Sequence, residues 1–496
     1  MKNIIRFIDR IEHSKIFWTL LGISVLFFLL RLPSLIEPHW YGDEGIYQVI
    51  GMKLHQGSLL YADIWDNKPP LLYLVYAFFN GEQHQVRLFS LLIGLLTTIS
   101  FFFLSKALFR SFGASVLSTS IFCLLLATPT LEGNIANAEN FMLLPTILSA
   151  LLIYQAALTT TRHSKKYGLL FAGVLLGISF LFKAVAIFDL AAFLLFFTLS
   201  TMSKKHPFKK MLHSLLFLVG GFLIPFTITL LFFAGHNALP AFFVSVFRDT
   251  ATYVTGQAND FLFPNGLLIA KMVLLLGALA IILWKRSYFT QKTLFISVWT
   301  VFALFSTFFS QLPYTHYLLL LLPSFCLLVG LILTLSTKKS MIFLWSGTLL
   351  LGAFVTQQIP IYQPIKTIAY YDNAMQFVTA GKSVGAYQSF FDLRTKRDYE
   401  IASFIKYHIP SDKSLFIWGD SPQVYVLADR LPEQKYIVAY HILGKEDRVH
   451  EIQKQLKEQS PDYIVILEEA PFLPFQSSFY KVKYLLQGAT VYEKTF

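Results

Sequence analysis

The chain has 496 residues, 55% of them hydrophobic and only 14% charged, with 50 phenylalanines and a formal net charge of +12. A soluble core has no use for apolar content on that scale, and apolar runs of bilayer-crossing length recur over roughly the first 360 residues, which describes a polytopic α-helical membrane protein. The positive balance does not mark a nucleic-acid binder: residues 365–496 carry 16 Lys+Arg against 16 Asp+Glu, so the whole excess lies in the membrane part, where it orients spans.

In chain order, Lys2, Arg6, Arg10 and Lys15 precede an apolar run from Ile16 to Leu35. That run exceeds a signal-peptide core and lacks a small-residue cleavage site, so it reads as a retained first span. The hydropathy predicts spans near 16–36, 88–105, 114–131, 141–158, 168–182, 185–202, 211–234, 266–284, 293–310, 316–335 and 340–359, about eleven in all. Alternate loops then collect Lys106 and Arg110, Arg162 to Lys166, Lys204 to Lys210, Lys285 to Lys292, and Lys338 with Lys339. The opposite loops hold Glu37, Asp43, Glu44, Asp63, Asp66, Glu82, Glu132, Glu139, Asp249 and Asp260. The positive-inside rule places the N-terminus in the cytoplasm and the acidic loops outside it, in a multi-pass protein of the cell (plasma or inner) membrane. Cys123 and Cys326 both lie inside apolar runs and suggest no disulfide.

The loop after the first span, about 50 residues, is too long for a simple connection. It carries a polar island, Tyr41-Gly42-Asp43-Glu44-Gly45, then Asp63-Ile64-Trp65-Asp66-Asn67-Lys68-Pro69-Pro70. Charges beside hydrocarbon are costly and persist where they face a cavity, an ion path or a reaction centre. Two short helical patterns flank them. Ile46, Val49, Ile50 and Leu54 share one face while Gln48, Lys53 and His55 fall elsewhere, as in a helix lying along the interface. A second begins after Pro69-Pro70, with Asp66 or Asn67 as its expected cap, and runs to Gly81.

Near Tyr362 to Ala369 the texture changes and long apolar runs stop. The expected division is a membrane domain, residues 1–364, and a soluble extracytoplasmic α/β domain, residues 365–496. Leu415–Trp418 and Tyr463–Leu467 read as buried strands, Lys481–Leu486 and Thr490–Glu493 as edge strands, and 445–459 as a helix. A helix over 397–408, stopped by Pro410, presents Ile401, Phe404 and Ile405 to that sheet.

Gly42-Asp43-Glu44-Gly45-x-Tyr47, then Tyr61-x-Asp63-x-Trp65-Asp66-x-Lys68-Pro69-Pro70-Leu71, then Arg87-Leu88 resemble the GT-C superfamily of polyprenyl-phosphate-sugar-dependent glycosyltransferases. The similar branch is that of the protein O-mannosyltransferases and the lipid A aminoarabinose transferase. Asn137-Ala138-Glu139-Asn140-Phe141, Gly177-x-x-x-Leu181-x-Lys183 and Tyr314-x-His316-Tyr317-Leu318 follow in the expected order, so the resemblance spans about residues 16–335. It implies a GT-C type fold and transfer of one sugar from a polyprenyl-phosphate carrier to an extracytoplasmic lipid, glycan or protein, with inversion at the anomeric carbon.

That displacement needs a base for the attacking hydroxyl and positive charge where the leaving phosphate develops. Asp43 stands at the position of the family's catalytic aspartate, with Glu44 as a supporting or metal-facing carboxylate; a helix N-cap is the other role open to Asp43. Lys68, Arg87 and Lys183 are the candidates for the donor phosphate, against ordinary lives as snorkelling or interfacial residues. Arg248 has the ordinary reading. Asp66, Glu139 and His316 are candidates to position the acceptor or a divalent cation. The residue before the motif lysine is Asn67 where the aminoarabinose relatives have a carboxylate, which weakens the metal expectation. The implied partners are a polyprenyl-phosphate sugar donor, the acceptor and the bilayer, with no nucleic acid. A flippase of a lipid-linked sugar is the competing class, although no inverted repeat is visible; a scaffold would leave the charged motifs unexplained.

Overall fold

Backbone that meets lipid must close its own hydrogen bonds, and the long apolar runs do so as helices. The computed structural model describes residues 14–158, 162–202, 208–251, 266–310, 312, 314–334, 346–349, 352, 353, 355, 357, 364–471 and 479–495. Helices Lys15–Arg31, Gln83–Phe109, Phe112–Ala127, Ala138–Leu158, Arg162–Phe182, Ile187–Met202, Phe208–Gly235, Gly266–Trp284, Gln291–Thr307 and Leu318–Ile332 stand over the first ten expected spans. Among the described residues, 7 helical segments are long and apolar enough to cross a membrane. The expected span near 340–359 lies mostly outside the described residues, as do Lys2, Arg6, Arg10, Lys204, Lys205, Asp260, Lys338 and Lys339.

The chain divides into two compact units. One lies within Met1–Leu32, Phe89–Phe232 and Thr250–Thr367; the other within Pro33–Leu88, Phe233–Asp249 and Ile368–Phe496.

In the first unit the helices approach through small residues. A Cβ on Gly173 would stand 2.1 Å from the Leu218 carbonyl oxygen, and one on Gly221 2.0 Å from that of Leu170, so helices Arg162–Phe182 and Phe208–Gly235 cross backbone to backbone. Helix Ala138–Leu158 is tied to Arg162–Phe182 by hydrogen bonds: Thr146 Oγ1 donates to Ser179 Oγ at 2.9 Å and Ser149 Oγ to the Ala172 carbonyl at 2.9 Å. The chain breaks at Lys183, whose extended backbone separates Phe182 from a single 3₁₀ turn, Ala184–Ala186. Cys123 and Cys326 are buried thiols.

In the second unit the first loop forms helices Gly42–His55 and Leu71–Phe78. They cross at Gly51, where a Cβ would meet the Tyr76 carbonyl carbon at 2.7 Å. Neither helix is capped as the sequence suggests. Tyr41 occupies the N-cap of the first, putting Asp43 in its first turn; Pro70 occupies the N-cap of the second without a side-chain bond, so the expected cap by Asp66 or Asn67 does not form. The first helix also departs from the amphipathic reading. Residues Glu44 to Gly51 are buried on every face, Gln48 included, because that amide donates to the Gly81 carbonyl at 2.8 Å and its oxygen meets His39 Nδ1 at 3.2 Å.

The C-terminal stretch of this unit forms the α/β layer. Strands β1 (Leu415–Trp418), β2 (Tyr463–Leu467), β3 (Tyr480–Leu486) and β4 (Ala489–Lys494) take the order β1-β2-β4-β3. β1 and β2 are parallel, Leu415 opposite Tyr463; the other pairs are antiparallel, Ile464 opposite Tyr492 and Tyr480 opposite Lys494. β3 is an edge, but β4 lies inside the sheet, and this corrects its reading as an edge strand; its short length and polar ends hide an interior position that only pairing defines. Helix Leu393–His408 buries Ile401 and Ile405 as expected. The core over the sheet contains Phe416, Trp418, Tyr436, Ile442, Ile452, Leu456 and Ile464, and with them Trp65 from the first loop. The Trp65 amide donates to the Lys435 carbonyl at 3.0 Å. Gly45 lets helix Gly42–His55 approach Gln423, whose amide nitrogen a Cβ there would meet at 2.9 Å.

Candidate active site

In the second unit the polar island folds back on itself so that two carboxylates share one ammonium. Lys68 Nζ stands 3.6 Å from Asp43 Oδ2 and 3.8 Å from Asp66 Oδ2. It also lies 4.9 Å from the centroid of the Tyr47 ring, whose hydroxyl donates to Asp43 Oδ2 at 2.9 Å. Tyr47 sits one helical turn after Asp43, a spacing that brings the two side chains onto one face. The Asp43 side chain is 33% exposed and that of Asp66 5%, so Asp43 is the accessible carboxylate of the pair. Its place in the first turn of a 14-residue helix sets its negative charge against the positive end of the helix dipole. Tyr61 holds the loop by donating to the Lys68 carbonyl at 2.7 Å. The Tyr73 hydroxyl is buried beside Asp66; desolvation and that neighbouring negative charge raise its pKa well above the usual phenol range.

Glu44 faces the opposite way, into the protein, where Arg87 grips it with Nε at 3.1 Å from Oε1 and with Nη2 on Oε2. Arg87 Nη1 also reaches Glu37 Oε2 at 3.0 Å and donates to the Ser34 carbonyl at 2.8 Å. Glu37 accepts in addition from Trp40 Nε1 at 2.9 Å and from the Tyr370 hydroxyl at 2.5 Å. Arg87 is fully buried, and its donors are directed to protein oxygens. Glu37 appears in the sequence only as one acidic loop residue; its position directly after the first span was the signal available for it.

The first unit holds a second charged set. Glu139, buried near the start of helix Ala138–Leu158, forms an ion pair with Lys183. His316 Nε2 is 3.8 Å from Glu139, and its Nδ1 meets Glu132 Oε2 at 2.9 Å. Lys183 Nζ lies 4.0 Å from the Tyr317 ring centroid. The helix break at Lys183 is what turns this side chain inward. The structure thus gathers Asp43, Asp66 and Lys68 in one cluster, pairs Glu44 with Arg87, and assembles Glu139, Lys183 and His316 in another. Arg248 is exposed and stands 3.6 Å from Asp249 and 3.8 Å from Asp447.

Among the described residues no group of three or more His, Cys, Asp or Glu side chains is arranged to hold a metal ion. Lys68 takes the position between Asp43 and Asp66 that a cation would fill, so this donor set does not fit the divalent cation that the resemblance implies.

One contact network has no local signature in the sequence. Arg448 lies 3.5 Å from the Trp65 ring centroid, pairs with Asp249 at 2.5 Å and donates to the His441 carbonyl at 2.7 Å, while the His441 ring packs edge-on to Trp65 at 4.9 Å.

Residues 68–232 match the family model described as dolichyl-phosphate-mannose-protein mannosyltransferase. In fold the chain is similar to ArnT from Cupriavidus metallidurans bound to undecaprenyl phosphate, with a TM-score of 0.58 and 16% identity over 97% of this chain and 98% of that one. The apo state of ArnT from the same organism gives a TM-score of 0.56 and 16% identity over 95% and 97%. No curated protein matches the sequence. The resemblance to the GT-C superfamily, in the branch of the protein O-mannosyltransferases and ArnT, is thus met by an independent family match over the stretch 68–232 and by an ArnT-like fold over nearly the whole chain.

Proposed function

We propose that the protein is an integral membrane glycosyltransferase that moves a sugar from a polyprenyl-phosphate-linked donor to an extracytoplasmic acceptor. The observation that carries this reading is the partly exposed Asp43 carboxylate at a helix N-terminus, 3.6 Å from a lysine of the same motif, on a chain with an ArnT-like fold. The matched family acts, by its description, with dolichyl-phosphate-mannose, and the similar ArnT structure carries undecaprenyl phosphate, which supports a lipid-phosphate donor.

In the proposed reaction the acceptor hydroxyl attacks the anomeric carbon, its proton passes to Asp43, and the bond from that carbon to the phosphate oxygen breaks with inversion. The leaving phosphomonoester gains negative charge. Lys68, with an ammonium beside the base, is assigned to that charge, and Lys183 is kept as a second phosphate-binding candidate. Glu44 and Arg87 are assigned a different task from the one their motif suggests. Their mutual pairing, with Glu37, anchors the helix that presents Asp43. Asp66 restrains Lys68, and Glu139 with His316 restrains Lys183. No step is routed through a metal ion.

The membrane domain, residues 1–364 with about eleven spans and a cytoplasmic N-terminus, would hold the lipid donor, and residues 365–496 would lie on the extracytoplasmic side as an α/β domain. The test is sugar transfer by the purified full-length protein in nanodiscs, given a panel of polyprenyl-phosphate sugars and a membrane extract as acceptor. Transfer by wild type that is lost in Asp43→Asn and Lys68→Ala is the expected result. Translocation of a lipid-linked sugar with no transfer from any donor would replace the enzyme by a flippase.

A further inference from the structure

Asp43 sits in the first turn of helix Gly42–His55, the part of a helix most prone to fray, and the N-cap residue Tyr41 makes no side-chain cap bond. A general base works only if its carboxylate is held within a fraction of an ångström of the productive position. The pairing of Glu44 with Arg87 holds this helix at one point. Two further restraints reach it from consecutive residues of helix Leu393–His408.

The first begins at Asp398, whose side chain is 0% exposed. Arg397 donates to Asp398 Oδ1 from Nε at 3.0 Å and from Nη2 at 2.6 Å, and Nη2 also reaches Ser421 Oγ at 3.2 Å. Arg397 is itself paired with Glu469, and Gly488 leaves space for its aliphatic stem. The other oxygen of Asp398, Oδ2, accepts from Gln423 Nε2 at 2.7 Å. Gln423, 5% exposed, lies against Gly45, where a Cβ would stand 2.9 Å from the Gln423 amide nitrogen and 3.0 Å from Pro422 Cγ.

The second restraint is Tyr399. Its hydroxyl accepts from the His39 amide at 3.0 Å, and His39 Nδ1 meets Gln48 Oε1 at 3.2 Å. Gly45 and Gln48 lie within one turn of each other, so both restraints meet the helix beside the turn that bears Asp43. A buried ion pair is a weak source of net stability, since apolar side chains of the same volume often do as well. What Arg397 and Asp398 supply is direction: the carboxylate they fix aims Gln423, and Gln423 with Pro422 sets where the helix can lie.

We infer that Asp398, Gln423 and Tyr399 are positioning residues for the transfer, fixing the helix that carries Asp43 and through it the aim of the Asp43 carboxylate. This rests on the glycosyltransferase reading above and deepens it, because it makes the rate of transfer depend on residues of the C-terminal part that are assigned no contact with donor or acceptor.

The experiment uses the full-length protein in nanodiscs as wild type, as Gln423→Met, which keeps the volume and loses the amide, and as Tyr399→Phe, which loses one hydroxyl. Donor KM, acceptor KM and kcat are measured, with kcat referred to the number of undecaprenyl phosphate sites so that unfolded molecules do not count. Each variant loses one hydrogen bond, so kcat per site should fall about tenfold in Gln423→Met and about threefold in Tyr399→Phe, with both KM values within about twofold of wild type. The same changes are then placed on Asp43→Asn and read in single-turnover reactions. There the residual rate should fall by less than about twofold, because residues that act as a unit are not additive and the base is already gone. Equal losses in the two backgrounds would overturn action through Asp43. So would wild-type kcat per site in both variants, or increases in KM that account for the lost activity. If wild type turns over none of the donors, the parent reading falls and the positioning role with it, before any variant is compared.

Discussion

Replacing Arg87 by methionine separates two roles that the motif alone leaves merged. Met keeps the apolar stem and removes the guanidinium, and what remains is two carboxylates, Glu37 and Glu44, both at most 5% exposed and facing a site that has lost its charge. Breaking a buried ion pair by removing one partner costs about 3–5 kcal/mol, because the uncompensated charge stays behind. Some of this is absorbed by the Trp40 and Tyr370 donors that Glu37 retains. At about 2–4 °C per kcal/mol for a unit of 150–250 residues, Arg87→Met should melt roughly 10 °C lower. The assay is thermal unfolding by intrinsic fluorescence in nanodiscs, run alongside sugar transfer and completed as a double-mutant cycle. Glu44→Gln placed on Arg87→Met removes one stranded charge, so the double variant should recover at least about 1 kcal/mol relative to additivity. Arg87→Met that melts like wild type yet has lost transfer would refute the reasoning and return Arg87 to the donor phosphate.

Four other outcomes follow from the geometry. Asp43→Asn should lower kcat by about 10²–10⁴ with the melting temperature unmoved, since a positioned general base contributes on that order; transfer within tenfold of wild type would remove Asp43 as the base. Trp65→Ala should destabilise by about 3–5 kcal/mol, as for a large aromatic taken from a core, although Trp65 sits in a loop by sequence; an unchanged denaturation midpoint would deny that the loop is anchored there. Gly51→Ala should cost about 1–3 kcal/mol through overpacking against Tyr76, and a thermal shift under 1 °C would show that the two short helices can separate. Lastly, burial lowers the pKa of His39 and of His441 from 6.5 to about 4. The unfolded chain therefore binds more protons between those values, so stability falls as pH drops from about 6.5 towards 4, and a melting temperature flat from pH 7 to pH 5 would contradict it.

The helices were legible because lipid removes alternatives: an apolar run that must satisfy its own amides has one local solution, and each of the first ten expected spans coincides with a helix. The strands Leu415–Trp418 and Tyr463–Leu467 were legible for a related reason, since short β-rich apolar runs between turn residues have few other fates. Which strand borders which was not, and Ala489–Lys494 reads as an edge although two neighbours cover it. The first loop shows the same division. Its charged residues announce themselves by sitting beside hydrocarbon, yet nothing local tells that Glu44 turns inward to Arg87 while its neighbour Asp43 turns outward to Lys68.

Local chemistry was written in the chain: the chemical groups and the conformations that bear them, namely apolar helices, a break at Lys183, two short helices around an acidic and basic motif, and a small α/β layer. The pairings came with the folding of distant elements onto one another. Glu37 meets Tyr370 across 333 positions of chain and Asp249 meets Arg448 across 199. Hydrophobic periodicity reports which side of an element is buried, whereas a pairing depends on where two distant elements come to rest, and no window of sequence contains both partners.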